Sequence, residues 1–557
     1  MNKLFGNIKD HYVNKGYTGI ACGLRVIADV MMYFCVLWYL VGAGCILPLY
    51  VRDYNSLGSD KGMAWINCFL IPGQILILAV AFLISAFFVK IMTLNGEAGR
   101  IKEKIKRTGL FDIITPVHIW SLLFLSSVLF SYIFSVNKDI ALQGESGWYV
   151  GTESYAAITI CLIVISYTGF AYGFFRRLIL GVSFVIYLIG IAMDLFGNIF
   201  SMDSWNSSKI STVGNANWFC GYLVTVYFIA MAAYLFEDRD GERFSTVKKW
   251  FFRIYLFAGA WMYVTNGSSS GYLSLAAVFI ALLCFCKKDT KALLRVAEMG
   301  FIFSVAVIAH GLGVGICVPL RTNDAFGRAV DNLLIDLLLL ALFTVIATCL
   351  DSAVRKGKDS LSFFVGKTVL IIAAATVVLY FVLLIINTLS GGAVLGYQGA
   401  FFFDGTWGSY RGITLQLGVD VLKGYSFREW LFGTGPDTFY TIYTGGRYPK
   451  VLEQVYLYFG NSRLINTHCE PLTMLLNTGI CGVVSFYGMM ISFVIKGLKV
   501  GTGSREGTIA ASAALCVLAY MVNNLFSFQT SVNLSQLSLM LAFGTAAVMR
   551  MKKREIK

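Results

Sequence analysis

Asn466-Thr467-His468-Cys469-Glu470-Pro471-Leu472 closes a long polar segment, and residues 471–495 then run for 25 positions without a charged side chain. At about 1.5 Å of helix rise per residue, such a run crosses the ~30 Å hydrocarbon core of a bilayer. Further apolar segments lie near 24–48, 66–90, 113–135, 154–175, 178–199, 216–236, 250–266, 270–286, 297–318, 331–350, 365–389, 508–528 and 531–549. With 471–495 they make about fourteen spans. In lipid a helix satisfies its own backbone hydrogen bonds, so the expected fold is an all-α polytopic membrane protein. The pairs 250–266 and 270–286 are short enough to be re-entrant or kinked.

The composition agrees. The 557 residues are 57% hydrophobic and 14% charged, where a soluble chain carries about 25% charged residues. Mean hydropathy is +0.70. The net charge of +14 does not call for a nucleic acid partner. With the N-terminus inside, 33 of the 45 Lys and Arg fall on inward segments and 12 on outward ones. Basic loops face the cytoplasm, so both termini are expected there, with an even number of spans. Most of the thirteen cysteines lie inside apolar segments and read as small buried hydrophobes. No zinc-ligand spacing is present, and no metal or cofactor is expected. Walker A, G-x-S-x-G and H-E-x-x-H patterns are also absent, which argues against an ATPase, a serine hydrolase and a zinc protease.

Three regions follow: 1–389 with about eleven spans, a large external loop at 390–468, and the C-terminal spans with a basic tail at 469–557. Loops of that length are functional or disordered. This one carries Phe401, Phe402, Phe403, Trp407, Trp430 and Phe439, so it is expected to fold as a small cap. Within it, Tyr410 to Lys423 fits two periods. Ile413, Leu417 and Val421 suit a helix face, and the same residues with Leu415 and Val419 suit strand alternation. Gly433-Thr434-Gly435-Pro436 marks a tight turn. No internal repeat is seen, which weighs against an inverted-repeat transporter.

Chemistry is expected in the loop. His468 is one of four histidines, and at a water–lipid boundary it can take a proton from a hydroxyl. Glu470 would orient its ring or cap the helix opening near Pro471. Arg411, in FFFDGTWGSYRG, can grip phosphate oxygens with two parallel hydrogen bonds and stabilise a departing diphosphate. Arg321, Arg328, Arg447 and Arg463 are weaker candidates of the same kind. His118 and His310 have no acidic neighbour in sequence and read as structural, and His11 sits in the basic tail. Asp194 and Asp336 lie in or near span ends, where ionisable residues draw functional suspicion. Asp238-Arg239-Asp240 has the form of a metal-binding DxD but falls in a basic loop and reads as a solvated charge run.

Three segments together resemble the O-antigen ligase and polysaccharide polymerase superfamily of bacterial membranes. Ser211-Thr212-Val213-Gly214-Asn215-Ala216-Asn217-Trp218 is similar to its GT-x-GN-x-N segment. Arg411 to Phe439, ending in LFGTGPDTF, is similar to its Arg, amphipathic helix and G-x-G-x-x-x-F. THCEPLTMLLNTGICGVVSF resembles its H-N-x-x-L…GI-x-G-x-x-x-F. The resemblance spans roughly residues 205–495. It implies a fold like the C-class membrane glycosyltransferases and a polyprenyl-diphosphate-linked oligosaccharide donor used at the external face of the bacterial plasma membrane. It also implies a sugar, lipid-linked glycan or protein hydroxyl as acceptor, and polysaccharide export and chain-length proteins as partners. No nucleotide sugar or metal is implied. By position His468 takes the base role and Arg411 a diphosphate role, with Asn215 and Asn217 in the first motif. Two positions depart from the pattern. Cys469 stands where the family has Asn. Asn266-Gly267-Ser268-Ser269-Ser270-Gly271-Tyr272 lacks the family's Ser-Arg pair, so one diphosphate contact is either missing or supplied elsewhere, with Arg321 and Arg328 as the candidates.

The expected function is thus inverting, metal-independent glycan transfer, favouring polymerisation of cell-surface repeat units. A ligase or protein O-oligosaccharyltransferase would share the chemistry. A lipid-linked glycan flippase is the non-enzymatic alternative, and it would move substrate without breaking a bond.

Overall fold

The computed structural model describes residues 19–52, 57–93, 114–168, 172–197, 209–236, 246–286, 289–317, 333–356, 360–397, 399–499 and 504–555. Nearly all of it is helix. The N-terminal part holds α1 (Gly19–Val41), α2 (Leu57–Thr93), α3 (Pro116–Ile133), α4 (Lys138–Gln143), α5 (Thr152–Thr168) and α6 (Tyr172–Phe196). A two-stranded antiparallel hairpin, β1 (Lys209–Ile210) and β2 (Gly214–Asn215), follows. Next come α7 (Ala216–Phe236), α8 (Thr246–Asn266), α9 (Ser269–Cys286), α10 (Thr290–Cys317), α11 (Leu333–Arg355) and α12 (Ser360–Leu389). The remainder is α13 (Trp407–Lys423), α14 (Phe427–Phe432), α15 (Phe439–Thr444), α16 (Pro449–Phe459), α17 (Glu470–Lys499), α18 (Arg505–Asn524) and α19 (Ser531–Glu555).

Among the described residues ten helices are long and apolar enough to cross a membrane. Three shorter apolar stretches, Leu78–Lys90, Thr152–Tyr167 and Ala374–Leu389, add to these. The chain is an all-α, multi-pass membrane protein. α8, which carries Lys248, Lys249 and Arg253, is not among the ten. α8 and α9 are two continuous helices separated by Gly267 and Ser268, and Gly267, at φ 60°, turns the chain.

α7 is apolar around its whole circumference and is buried from Trp218 to Phe236, as an all-round hydrophobic helix must be. It packs against α8, α18 and α19, while α17 packs against α3 and α18. Lys61, counted from sequence as an outward cation, is instead buried. Its Nζ donates to the carbonyls of Leu47 (2.6 Å) and Pro48 (2.8 Å) beyond the end of α1.

The loop region folds, but of the six aromatics that led to this expectation only Phe439 is buried, and Phe403 and Trp430 are 42% and 41% exposed. α13, α15 and α16 close around Ile413, Leu417, Val421, Phe439, Tyr443, Val451 and Val455, and Leu476 of α17 joins the same cluster. Helical periodicity wins over alternation in α13: Ile413, Leu417 and Val421 are buried, while Val419 is 44% exposed. The expected span 508–528 is shorter than the sequence suggested. α18 ends at Asn524, and Leu525 to Thr530 leave the helix.

Candidate functional site

The site is founded on a broken helix. Within α17, Gly479 adopts φ 68° and ψ −175° and splits the helix in two. The carbonyls freed at the end of the first half find other donors. The amides of Thr434 and Gly435 donate to Leu476 O (3.2 Å) and Asn477 O (3.0 Å). Ser131 Oγ of α3 also donates to Asn477 O (2.7 Å), and Tyr425 OH to Leu476 O (2.9 Å). The Gly433-Thr434-Gly435 turn therefore fastens the loop region to the membrane-embedded core.

His468 lies two residues before this helix. Its backbone φ is 53°, and its N–H donates to Asn466 Oδ1 (3.1 Å). A non-glycine residue in the left-handed region is uncommon and is often found at functional sites. The ring is half-buried and stands edge-on to Phe528, with centroids 5.0 Å apart at 88°. Among the described residues no hydrogen bond reaches its nitrogens. Burial, joined by the nearby Arg411 charge, pushes the imidazole down to about 4. It is therefore neutral and able to accept a proton at neutral pH.

Arg411 is the residue whose charge His468 feels. Gly408, Ser409 and Tyr410 precede it in left-handed conformations, so the right-handed turns of α13 begin at Arg411 itself. Its Nε donates to Phe526 O (2.6 Å) and its Nη1 to Gly408 O (2.6 Å). One turn later Thr414 Oγ1 donates to Thr467 O (2.8 Å), which pins α13 to the residue before His468. The structure thus brings together two residues 57 positions apart in sequence.

The bend after α18 completes the site, and the sequence reading missed it. Phe526 supplies the carbonyl that holds Arg411, and Phe528 supplies the face against His468. Trp148 stands on Phe528 (4.8 Å) and on Trp218 (5.4 Å), so a run of four rings links the STVGNANW segment to His468. The polar cluster Asn523, Asn524 and Gln529 beside apolar helices was the available signal. It was obscured by taking the span on to residue 528.

Glu470 does not act on His468 as expected. Its carboxylate accepts from Gln529 Nε2 (2.6 Å), Tyr520 OH (3.1 Å) and Asn524 Nδ2. The sequence expectation failed because the nearest donors come from α18 and the bend after it, which sequence proximity to His468 could not reveal. Asp437, a second carboxyl and half-buried, accepts from the Glu145 amide (2.7 Å) and lies in a φ 58° conformation. Burial pushes it up to about 7. Both carboxyls line a cavity of about 30 Å³ next to Asn466.

Two of the other expected arginines, Arg447 and Arg463, are otherwise engaged. Arg447 makes a two-pronged pair with Glu429 (2.5 and 3.0 Å) and holds Gly424 O, and hydrogen bonding from it lowers the Glu429 carboxyl to about 2. Arg463 pairs with Glu145 and lies over the Tyr440 ring (4.9 Å). Both tie loop segments together, because each has a nearly buried acid opposite it. Asn215 is spent on capping α7, accepting from the Trp218 amide (3.1 Å). Asn217 is half-buried in the first turn of α7. Arg321, Arg328 and the Asp238-Arg239-Asp240 run lie outside the described residues.

Two histidines expected to be structural differ in surroundings. His118 caps its own helix, with Nδ1 accepting from the Thr115 amide (3.1 Å) and Nε2 2.7 Å from Ser166 Oγ. His310 has no acidic neighbour in sequence but has one in space. Asp194 of α6 lies 3.8 Å away and also accepts from Trp261 Nε1 (3.1 Å) and Thr265. The pair joins α6 to α10, a proximity absent from the linear sequence.

No known family model matches the chain, and no curated protein matches it either.

Proposed function

We propose that the protein transfers a glycan from a polyprenyl-diphosphate carrier to a hydroxyl acceptor, and that it does so as a polymerase of surface-polysaccharide repeat units. The observation that carries this reading is the pairing of His468, with an unengaged neutral imidazole, and Arg411, the adjacent fixed cation. A base beside a cation is what nucleophilic displacement of a diphosphate requires.

In the proposed reaction the imidazole of His468 takes the proton of the acceptor hydroxyl. The oxygen attacks the anomeric carbon as the bond from that carbon to the diphosphate oxygen breaks. The electron pair leaves with the polyprenyl diphosphate, whose growing charge Arg411 offsets, and the configuration at carbon inverts. The proton then passes from the imidazole to the departing diphosphate or to water. A diphosphate beside Arg411 also counters the cation that disfavours protonated His468. Half-buried Trp148 offers a ring face to sugars, while Phe528 and Trp218, buried against it, hold that ring in place and keep water away.

This reading extends to the remaining features. In this reading the hydropathy gives about fourteen spans, the loop charges favour both termini in the cytoplasm and the 390–468 loop on the external face, and the resemblance implies a bacterial plasma membrane. The likeness of three motifs to the O-antigen ligase and polysaccharide polymerase superfamily supports the substrate class.

The test is the product profile of the purified protein with a polyprenyl-diphosphate glycan donor, beside His468→Ala. A ladder of longer lipid-linked chains, lost in the variant, is expected. Single transfer to an added acceptor would mean a ligase or oligosaccharyltransferase. No bond formation by the wild type, with donor and reconstitution controls active, would overturn the reading in favour of a flippase.

A further inference from the structure

The cavity behind His468 is too acidic for its surroundings. Asp437 and Glu470 both line it, and none of its twelve lining residues is Lys or Arg. Glu470 is met by an amide, a second amide and a phenol, and Asp437 by the Glu145 backbone amide. These donors are all neutral. Buried carboxylates without a cation are strongly disfavoured.

A separate observation points into the same space. Asn477 also lines the cavity and is 6% exposed, and its Oδ1 has no hydrogen-bond partner. Buried amide oxygens are rarely left unmatched, and an orphan calls for an ion or water. The volume of about 30 Å³ admits one ion with a water and excludes anything larger.

We propose that Asp437, Glu470 and Asn477 bind one hard, oxygen-seeking metal cation. Carboxylate and amide oxygens are the ligands that Ca²⁺, Mg²⁺ and Na⁺ prefer, and the absence of sulfur and imidazole disfavours softer metals. Asp437 comes from the segment between α14 and α15, while Glu470 and Asn477 come from the first half of α17. The ion would therefore clamp the loop region to the broken helix, a structural role that does not depend on the transfer reaction.

The experiment uses the full-length protein in detergent after chelation. Terbium is added and its emission is read on excitation of Trp148 and Tyr155, which line the cavity. Thermal stability is then measured with CaCl₂, MgCl₂ or NaCl, each against choline chloride at equal ionic strength. Sensitised emission that Ca²⁺, Mg²⁺ or Na⁺ displaces is expected, together with a melting shift of several degrees from at least one of these salts. Asp437→Asn should weaken terbium binding at least tenfold, and Asn477→Asp, which adds a charged oxygen ligand, should tighten it. Size-exclusion profiles identify any variant that fails to fold, and the opposite behaviour of the two variants keeps the test decisive. No displaceable emission and no salt-specific melting shift in the wild type would overturn the proposal. So would emission and a shift that both variants leave unchanged.

Discussion

Gly433 and Gly479 pass each other backbone to backbone. A Cβ on Gly433 would stand 2.3 Å from the carbonyl carbon of Asn477, and one on Gly479 would stand 2.3 Å from that of Leu431. Both have positive φ, 69° and 68°. Their contact lets the loop region donate to the open end of a split helix, just beyond the segment that carries His468.

Gly479→Ala should therefore destabilise the protein by more than about 2 kcal/mol, from left-handed strain and the main-chain clash together. Gly433→Ala should do the same. Thermal unfolding in detergent checks this, and a melting temperature within one degree of the wild type for either variant would contradict the contact.

His468→Gln should reduce glycan transfer by about 10² to 10⁴-fold, the usual worth of a general base. The glutamine keeps polarity and approximate size, so membrane insertion and melting should change little. Turnover within threefold of the wild type would remove His468 from the base role.

Arg411→Lys tests the cation. Lysine keeps the charge but cannot reach Phe526 O and Gly408 O together while presenting a planar fork. Turnover should fall by about 10- to 100-fold with a smaller change in KM, since charge grows on the diphosphate only as the bond breaks. An equal loss in KM with turnover intact would make Arg411 a ground-state binding residue instead.

Glu429 and Arg447 give a pH dependence. The Glu429 carboxyl is held at about 2, below its ordinary 4.5, first by hydrogen bonding from Arg447. The unfolded chain therefore takes up this proton more readily than the folded one. The pair's contribution is present above about 4.5 and is lost as pH falls towards about 2. Arg447 is partly exposed, so solvent screening limits the worth of the pair to about 1 kcal/mol. Glu429→Gln should lower the melting temperature at pH 7 and flatten its acid dependence between pH 5 and about 3. An acid limb identical to that of the wild type would refute this.

Phe528→Leu should slow transfer about tenfold while leaving the protein folded, because a leucine fills space but offers no ring to His468 or Trp148. Its effect should appear with long sugar donors and shrink with truncated ones. Equal effects on both would make Phe528 a packing residue.

Sequence alone determined the membrane class and the approximate helix positions, because a charge-free run of some 20 residues has few folded fates other than a helix in lipid. It also pointed to a folded loop at 390–468, although aliphatic residues with Phe439 and Tyr443 rather than the other named aromatics form its core, and it singled out His468 and Arg411. Tertiary structure alone decided that the Arg411 charge reaches His468, that Glu470 turns to Tyr520, Asn524 and Gln529, and that Arg447 and Arg463 are spent on acids. It alone split α17 at Gly479 and folded Phe526 and Phe528 into the site. The reason is range. Hydropathy and periodicity are local properties of the chain, readable within a span or a turn. Which donor reaches which carboxylate depends on segments tens to hundreds of positions apart being packed side by side, and no local pattern encodes that.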